Sequence, residues 1–122
     1  MALSTHRHLV AWQRSVCLAR NVYAATANAI TGDPGELATQ IRRSAILIAS
    51  TIAEGAARTR PAEFRQLLGA ARGFLAELET QVMIATDLRI VSGNIPLETD
   101  IDELRQLLIA LMRKLSESRE RL

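Results

Sequence analysis

PAEFRQLLGAARGFLAELETQVMIATDLRIV, residues 61–91, carries the pattern that decides the fold. Phe64, Leu68, Ala71, Leu75, Leu78, Val82 and Ala85 follow one another at alternating steps of four and three. That spacing lays one apolar stripe along an α-helix and suits no strand. Pro61 fits the first helical turn, where its missing N–H costs nothing. At 1.5 Å per residue such a helix is roughly 45 Å long, with an apolar stripe to bury along its length. It needs partners of similar length.

The flanking sequence supplies three. Before it, residues 34–57 place Leu37, Ile41, Ala45, Ile48 and Ile52 on one face. Asp33, Pro34 and Glu36 there suggest an N-cap, a first helical residue and a capping-box partner. Residues 8–30 repeat the spacing with Leu9, Trp12, Val16, Ala19, Tyr23, Ala27 and Ile30. After the turn-forming Ser92-Gly93-Asn94-Ile95-Pro96, Asp100 and Glu103 suggest a second capping box. It opens a helix over 101–119 with Ile101, Leu104, Leu108, Leu111 and Leu115 inward. Four amphipathic helices with short connections predict an all-α, antiparallel up-down-up-down bundle, one domain over residues 1–122. Ile46, Leu47, Ile84, Leu107 and Met112 lie off the inward stripes. Their surplus apolar surface points to a ring-like homo-oligomer that buries it; a wide core face is the plainer explanation.

Composition excludes other classes. Of 122 residues, 48% are apolar, so the chain is not a disordered tail. Nine Gly and Pro, with four aromatic residues, are too few for a β-sandwich. One cysteine, Cys17, leaves no internal disulfide; beside the first helix's stripe it reads as a small buried hydrophobe. No apolar run approaches the ~20 residues of a membrane span, and no signal peptide is visible, so a cytoplasmic location is expected. The net charge is only +2. Its distribution is uneven: residues 1–60 hold seven Arg against Asp33, Glu36 and Glu54, and the first 32 residues hold no acid. Fourteen of the fifteen cations are Arg, which pairs bidentately with phosphate and stacks on bases. A GC-rich genome gives the same bias without any function.

Catalytic constellations are missing. Both histidines, His6 and His8, lie at the chain start, and no Glu-x-x-His occurs for a di-iron bundle. No phosphate-cradling loop occurs; Gly69 and Gly73 suit close helix packing or a slight bend. Glu77 and Glu79 point about 200° apart on a helix, so they do not form a catalytic pair. Neither an enzyme nor a cofactor is expected. Glu54, in the last turn of the second helix, needs a cation there, and Arg58 is four residues on. The remaining chemistry is arginine. Of the adjacent Arg42 and Arg43, one can reach an inter-helix groove while the other faces solvent. With Arg14, Arg20, Arg58, Arg60 and Arg65 they make a candidate phosphate-binding surface, multiplied by symmetry in an oligomer. The structural alternative is pairing of these arginines with acids inside the protein.

The residues Gln40-Ile41-Arg42-Arg43-Ser44-Ala45, then Ile52-Ala53-Glu54-Gly55, have a familiar order. So do Glu63-Phe64, Ala71-Arg72-Gly73 and Leu75-Ala76-Glu77-Leu78-Glu79-Thr80-Gln81. With Trp12-Gln13 they resemble, over roughly residues 9–115, the four-helix-bundle proteins encoded in intervening sequences of bacterial 23S rRNA genes. The same superfamily includes the accessory variability determinants of diversity-generating retroelements. The resemblance implies barrel-shaped homopentamers and, for the retroelement members, nucleic-acid binding and partnership with a reverse transcriptase. It makes Arg42 and Arg43 the family's paired arginines, and Glu54, Gly55, Glu77 and Glu79 architectural positions. Ala49 and Thr51 replace the family's frequent Pro and Asn, which implies a straighter second helix. The modest charge departs from the strongly basic retroelement members. Two functions follow: a non-catalytic nucleic-acid-binding accessory protein with arginines on RNA or DNA phosphates, or an oligomeric structural or protein-interaction module.

Overall fold

The computed structural model describes residues 6–29, 36–93 and 95–120, the side chains of 118–120 excepted. A 3₁₀ turn, His6–His8, leads into α1 (Val10–Ala25), followed by α2 (Leu37–Ala56), α3 (Pro61–Asp87) and α4 (Leu97–Glu120). There is no strand among the described residues. Cross-helix contacts fix the directions. Arg42, early in α2, reaches Tyr23 and Thr26 at the end of α1. Gly55, late in α2, meets Phe64 and Leu67 early in α3. Asn21 and Arg14 of α1 meet Asp100 and Glu103 of α4 in descending order. Arg105 of α4 reaches back to Glu79 of α3. Neighbours therefore run antiparallel, as an up-down-up-down four-helix bundle.

The α3 stripe packs as expected: Leu68, Ala71, Leu75, Leu78, Val82 and Ala85 are buried, and Phe64 is half-buried against them. Ile41, Ala45, Ile48 and Ile52 of α2 and Ile101, Leu104 and Leu108 of α4 complete the core. Leu37, Leu111 and Leu115 are only partly buried. Leu97 joins the core as well. Each such side chain contributes about 1.5–3 kcal/mol of transfer free energy.

In α1 the expected stripe is displaced by one residue. The buried positions are Ala11, Ser15, Leu18, Val22 and Ala25. Trp12, Val16 and Ala19 are half-buried and Tyr23 is exposed, about 100° round the helix. Periodicity alone favours the larger residues. The packed helix instead turns Leu18 and Val22 to the core, flanked by the small Ala11, Ser15 and Ala25. Burying Ser15 is cheap because its hydroxyl donates to the Trp12 carbonyl at 2.6 Å. Cys17, expected buried, is exposed; it sits roughly 120° from the middle of the true buried stripe. Ala27 is exposed in the turn after α1, and Ile30 lies outside the described residues.

Helix ends also differ. α1 starts at Val10 and ends at Ala25, where Thr26 donates its hydroxyl to the Val22 carbonyl at 2.8 Å. α2 begins at Leu37, not 34, behind Glu36 in a left-handed conformation with φ 58° and no side-chain cap. Asp33 and Pro34 lie outside the described residues. α3 opens on Pro61 as expected but stops at Asp87, because Arg89 adopts φ 60° and turns the chain. α4 begins at Leu97, four residues early: the Pro96 carbonyl accepts the Asp100 N–H at 3.2 Å. Asp100 is thus inside the first turn and accepts a 2.7 Å bond from Asn21 instead of forming a capping box.

Of the described glycines, Gly55 is the one at a close approach. A Cβ there would sit 2.8 Å from Phe64 Cδ1 and 3.2 Å from Leu67 Cβ. Gly69 has only the Met112 methyl 3.7 Å from such a Cβ, and Gly73 has open space, so the close-packing role expected of them belongs to Gly55. The surplus apolar residues divide. Leu107 and Met112 pack against the core, while Ile46, Leu47 and Ile84 are exposed. α2 runs uninterrupted through Ala49 and Thr51.

Candidate functional site

The seven candidate arginines fall into separate places. Arg42 is half-buried and lies across the end of α1. Its Nε donates to Thr26 Oγ1 at 2.8 Å, one terminal nitrogen donates to the Tyr23 carbonyl at 3.1 Å, and the guanidinium stacks on the Tyr23 ring at 4.2 Å. A cation at a helix C-terminus answers the macrodipole and the unpaired carbonyls there. Arg42 therefore joins α2 to α1. Arg43, its neighbour, is exposed, so the pair divides between groove and solvent as the sequence suggests.

Arg20 is exposed on the α1 side of the same face. Arg14 turns toward α4 and lies 3.6 Å from Glu103. Arg58 is sixteen residues beyond Arg42, roughly 24 Å along the axis, and bonds Glu54 at 2.9 Å. This is the i,i+4 partner that Glu54 requires. Arg60 stands 4.0 Å from Glu63 at the start of α3, and Arg65 is exposed nearby. The structure thus brings Arg20, Arg42 and Arg43 to one face. It leaves Arg58, Arg60 and Arg65 at the opposite end, and Arg14 on the α4 side.

The acidic motif of α3 is architectural in its geometry. Glu79 accepts from Arg105 of α4 at 2.7 Å, and Asp102 accepts from the same guanidinium at 2.6 Å. Burial pulls the Arg105 pKa down, but the two carboxylates outweigh it and raise it above the ordinary value. The cation is therefore permanent, and no titration of Arg105 weakens this clamp. Glu77 points elsewhere and receives only a 3.5 Å contact from Gln81.

Around the first arginine group lies a trough that sequence periodicity misses. Between α1 and α2, Trp12, Val16, Ala19, Arg20, Tyr23, Ile46, Ala49, Ser50 and Ala53 line a depression of about 600 Å³. It continues past Tyr23 and Ile46 into a second depression of about 450 Å³, walled by Thr39, Arg42 and Arg43. Among the described residues no carboxylate lines either. Tyr23 is 41% and Ile46 47% exposed, high for large side chains in a bundle. The signal in the sequence was the double stripe of α1: one residue set had to be core and the other had to be this wall.

No group of three or more His, Cys, Asp or Glu among the described residues could hold a metal ion. No described helix is long and apolar enough to cross a membrane. A comparison with curated proteins finds no match. The family model described as 23S rRNA-intervening sequence protein matches residues 7–116. That span takes in all but the end of α4 and nearly all of the 122 residues, and the chain belongs to that family.

Proposed function

We propose that this chain is a non-catalytic, cytoplasmic accessory protein that binds nucleic acid through the α1–α2 face. The observation that carries the reading is the gathering of Arg20, Arg42 and Arg43 around a trough that no carboxylate among the described residues lines. Cations held apart from carboxylates keep their counterions and can exchange them for phosphates. Arg14, Arg58 and Arg60, by contrast, already have carboxylate partners within 4.0 Å. Family membership supports the association with rRNA-derived elements. A reverse-transcriptase partner, as in the retroelement branch, belongs to the same reading. A homo-oligomer, a pentamer by the family resemblance, would present the face several times and raise avidity.

The test is fluorescence anisotropy with a structured RNA and duplex DNA over ~50–200 mM salt. Arg20→Glu with Arg43→Glu is compared with the charge-matched control Arg72→Glu with Arg113→Glu on the exposed surface of α3 and α4. Arg42 is left intact because it joins two helices. The reading expects a steep log–log salt slope that the first variant flattens and the control leaves nearly unchanged. Equal loss from both, or no binding at the lowest salt, contradicts it.

The exposed apolar residues favour a second reading, an oligomeric protein-interaction module in which Tyr23, Ile46 and Leu47 meet a protein surface. That reading expects no nucleic-acid binding, together with dissociation of the assembly by Ile46→Lys in sedimentation.

A further inference from the structure

We infer that the α1–α2 trough takes unpaired nucleotides, with bases on its aromatic walls and phosphates on Arg20 and Arg43; this rests on the nucleic-acid reading above. Four observations converge. The floor is apolar, from Val16, Ala19, Ile46 and Ala49, which suits base faces and offers nothing to a sugar–phosphate backbone. Aromatic residues stand at two points along it, Trp12 and Tyr23, eleven residues apart on α1. That is roughly 16 Å, room for about five stacked steps at ~3.4 Å each. Arg20 and Arg43 are exposed lining residues, and no carboxylate among the described residues lines the trough beside them. Aromatic platforms combined with cations and without carboxylates are the composition of single-strand binding grooves.

A duplex does not fit the same features. Its bases are stacked inside, and its backbone would face an apolar floor that gains nothing from it. Arg42 completes the arrangement by holding the Tyr23 ring from one side, 4.2 Å from its centroid.

The experiment titrates the whole protein with a labelled, non-self-complementary RNA of about 12 nucleotides, and separately with a duplex of equal length, at low salt. Variants are Tyr23→Ala and Tyr23→Phe, each checked by sedimentation and thermal melting. Expected is a clear preference for the single strand. Tyr23→Ala weakens single-strand binding roughly 5- to 150-fold, the range for losing one base–aromatic stack, and leaves duplex binding unchanged. Tyr23→Phe, which keeps the ring, restores it. Trp12, the only tryptophan, should be quenched by the single strand alone. Equal binding of both forms with no effect of Tyr23→Ala overturns this inference and leaves the nucleic-acid reading standing. Absence of binding to either form overturns both. Dissociation of the assembly by Tyr23→Ala without ligand shows the trough to be a subunit contact, which also overturns the inference.

Discussion

Replacing Arg42 with alanine should destabilise the fold, whereas the same change at Arg43 should not. Arg42 loses a 2.8 Å bond to Thr26 Oγ1, a 3.1 Å bond to the Tyr23 carbonyl and a stacked ring at 4.2 Å. A charge-assisted hydrogen bond is worth about 1.5–3 kcal/mol, and a partly exposed cation–π contact about 0.5–1. The site is only half-buried and the terms are not additive, so the net cost is about 1.5–3 kcal/mol. Thr26 keeps its own bond to Val22, so no buried hydroxyl is orphaned. Arg43→Ala, on the exposed face, should fall within about 0.5 kcal/mol of wild type. Urea unfolding at fixed protein concentration separates them: the Arg42 variant lowers the midpoint at unchanged m, and the Arg43 variant does not. Arg42→Lys should fall between, since it keeps the charge and loses the planar fork. Equal midpoints for the two alanine variants would refute the assignment of Arg42 to architecture.

Other outcomes follow from the same geometry. Gly73→Ala should stabilise by about 0.5–1 kcal/mol, because helix propensity improves and a Cβ there meets nothing within 4 Å. Gly55→Ala should instead destabilise by about 0.5–2 kcal/mol, since the 2.8 Å approach to Phe64 outweighs the propensity gain; calorimetry should move the two melting temperatures in opposite directions. Glu79→Ala should cost about 1 kcal/mol in urea unfolding, more than Glu77→Ala, because only Glu79 joins α4 through Arg105. Cys17 should react with a thiol reagent in the native protein as fast as in denaturant; strong protection would contradict its exposure.

The bundle was legible from three of its helices, because the inward stripes read from α2, α3 and α4 are largely the ones that are buried. α1 was not, because its core side, Ala11, Ser15, Leu18, Val22 and Ala25, is flanked by a second apolar set, Trp12, Val16, Ala19 and Tyr23. A hydrophobicity count favours the set with Trp12 and Tyr23, although the packed helix buries the other. That same ambiguity hid the trough. Capping motifs misled at Asp100, where a carboxylate that suits an N-cap bonds Asn21 across the bundle. The arginines were legible as a set but not as a geometry. Which partner each one meets depends on neighbours in other helices, such as the Glu103 carboxylate for Arg14 and the Thr26 hydroxyl for Arg42.

The most direct measurement of the central claim is ultraviolet cross-linking of bound RNA to the intact protein, followed by peptide mapping. Cross-links should fall in residues 10–25 and 37–56, at Trp12, Tyr23 and the surroundings of Arg43. Cross-links confined to α3 and α4 would contradict the assignment of nucleic-acid binding to the α1–α2 face.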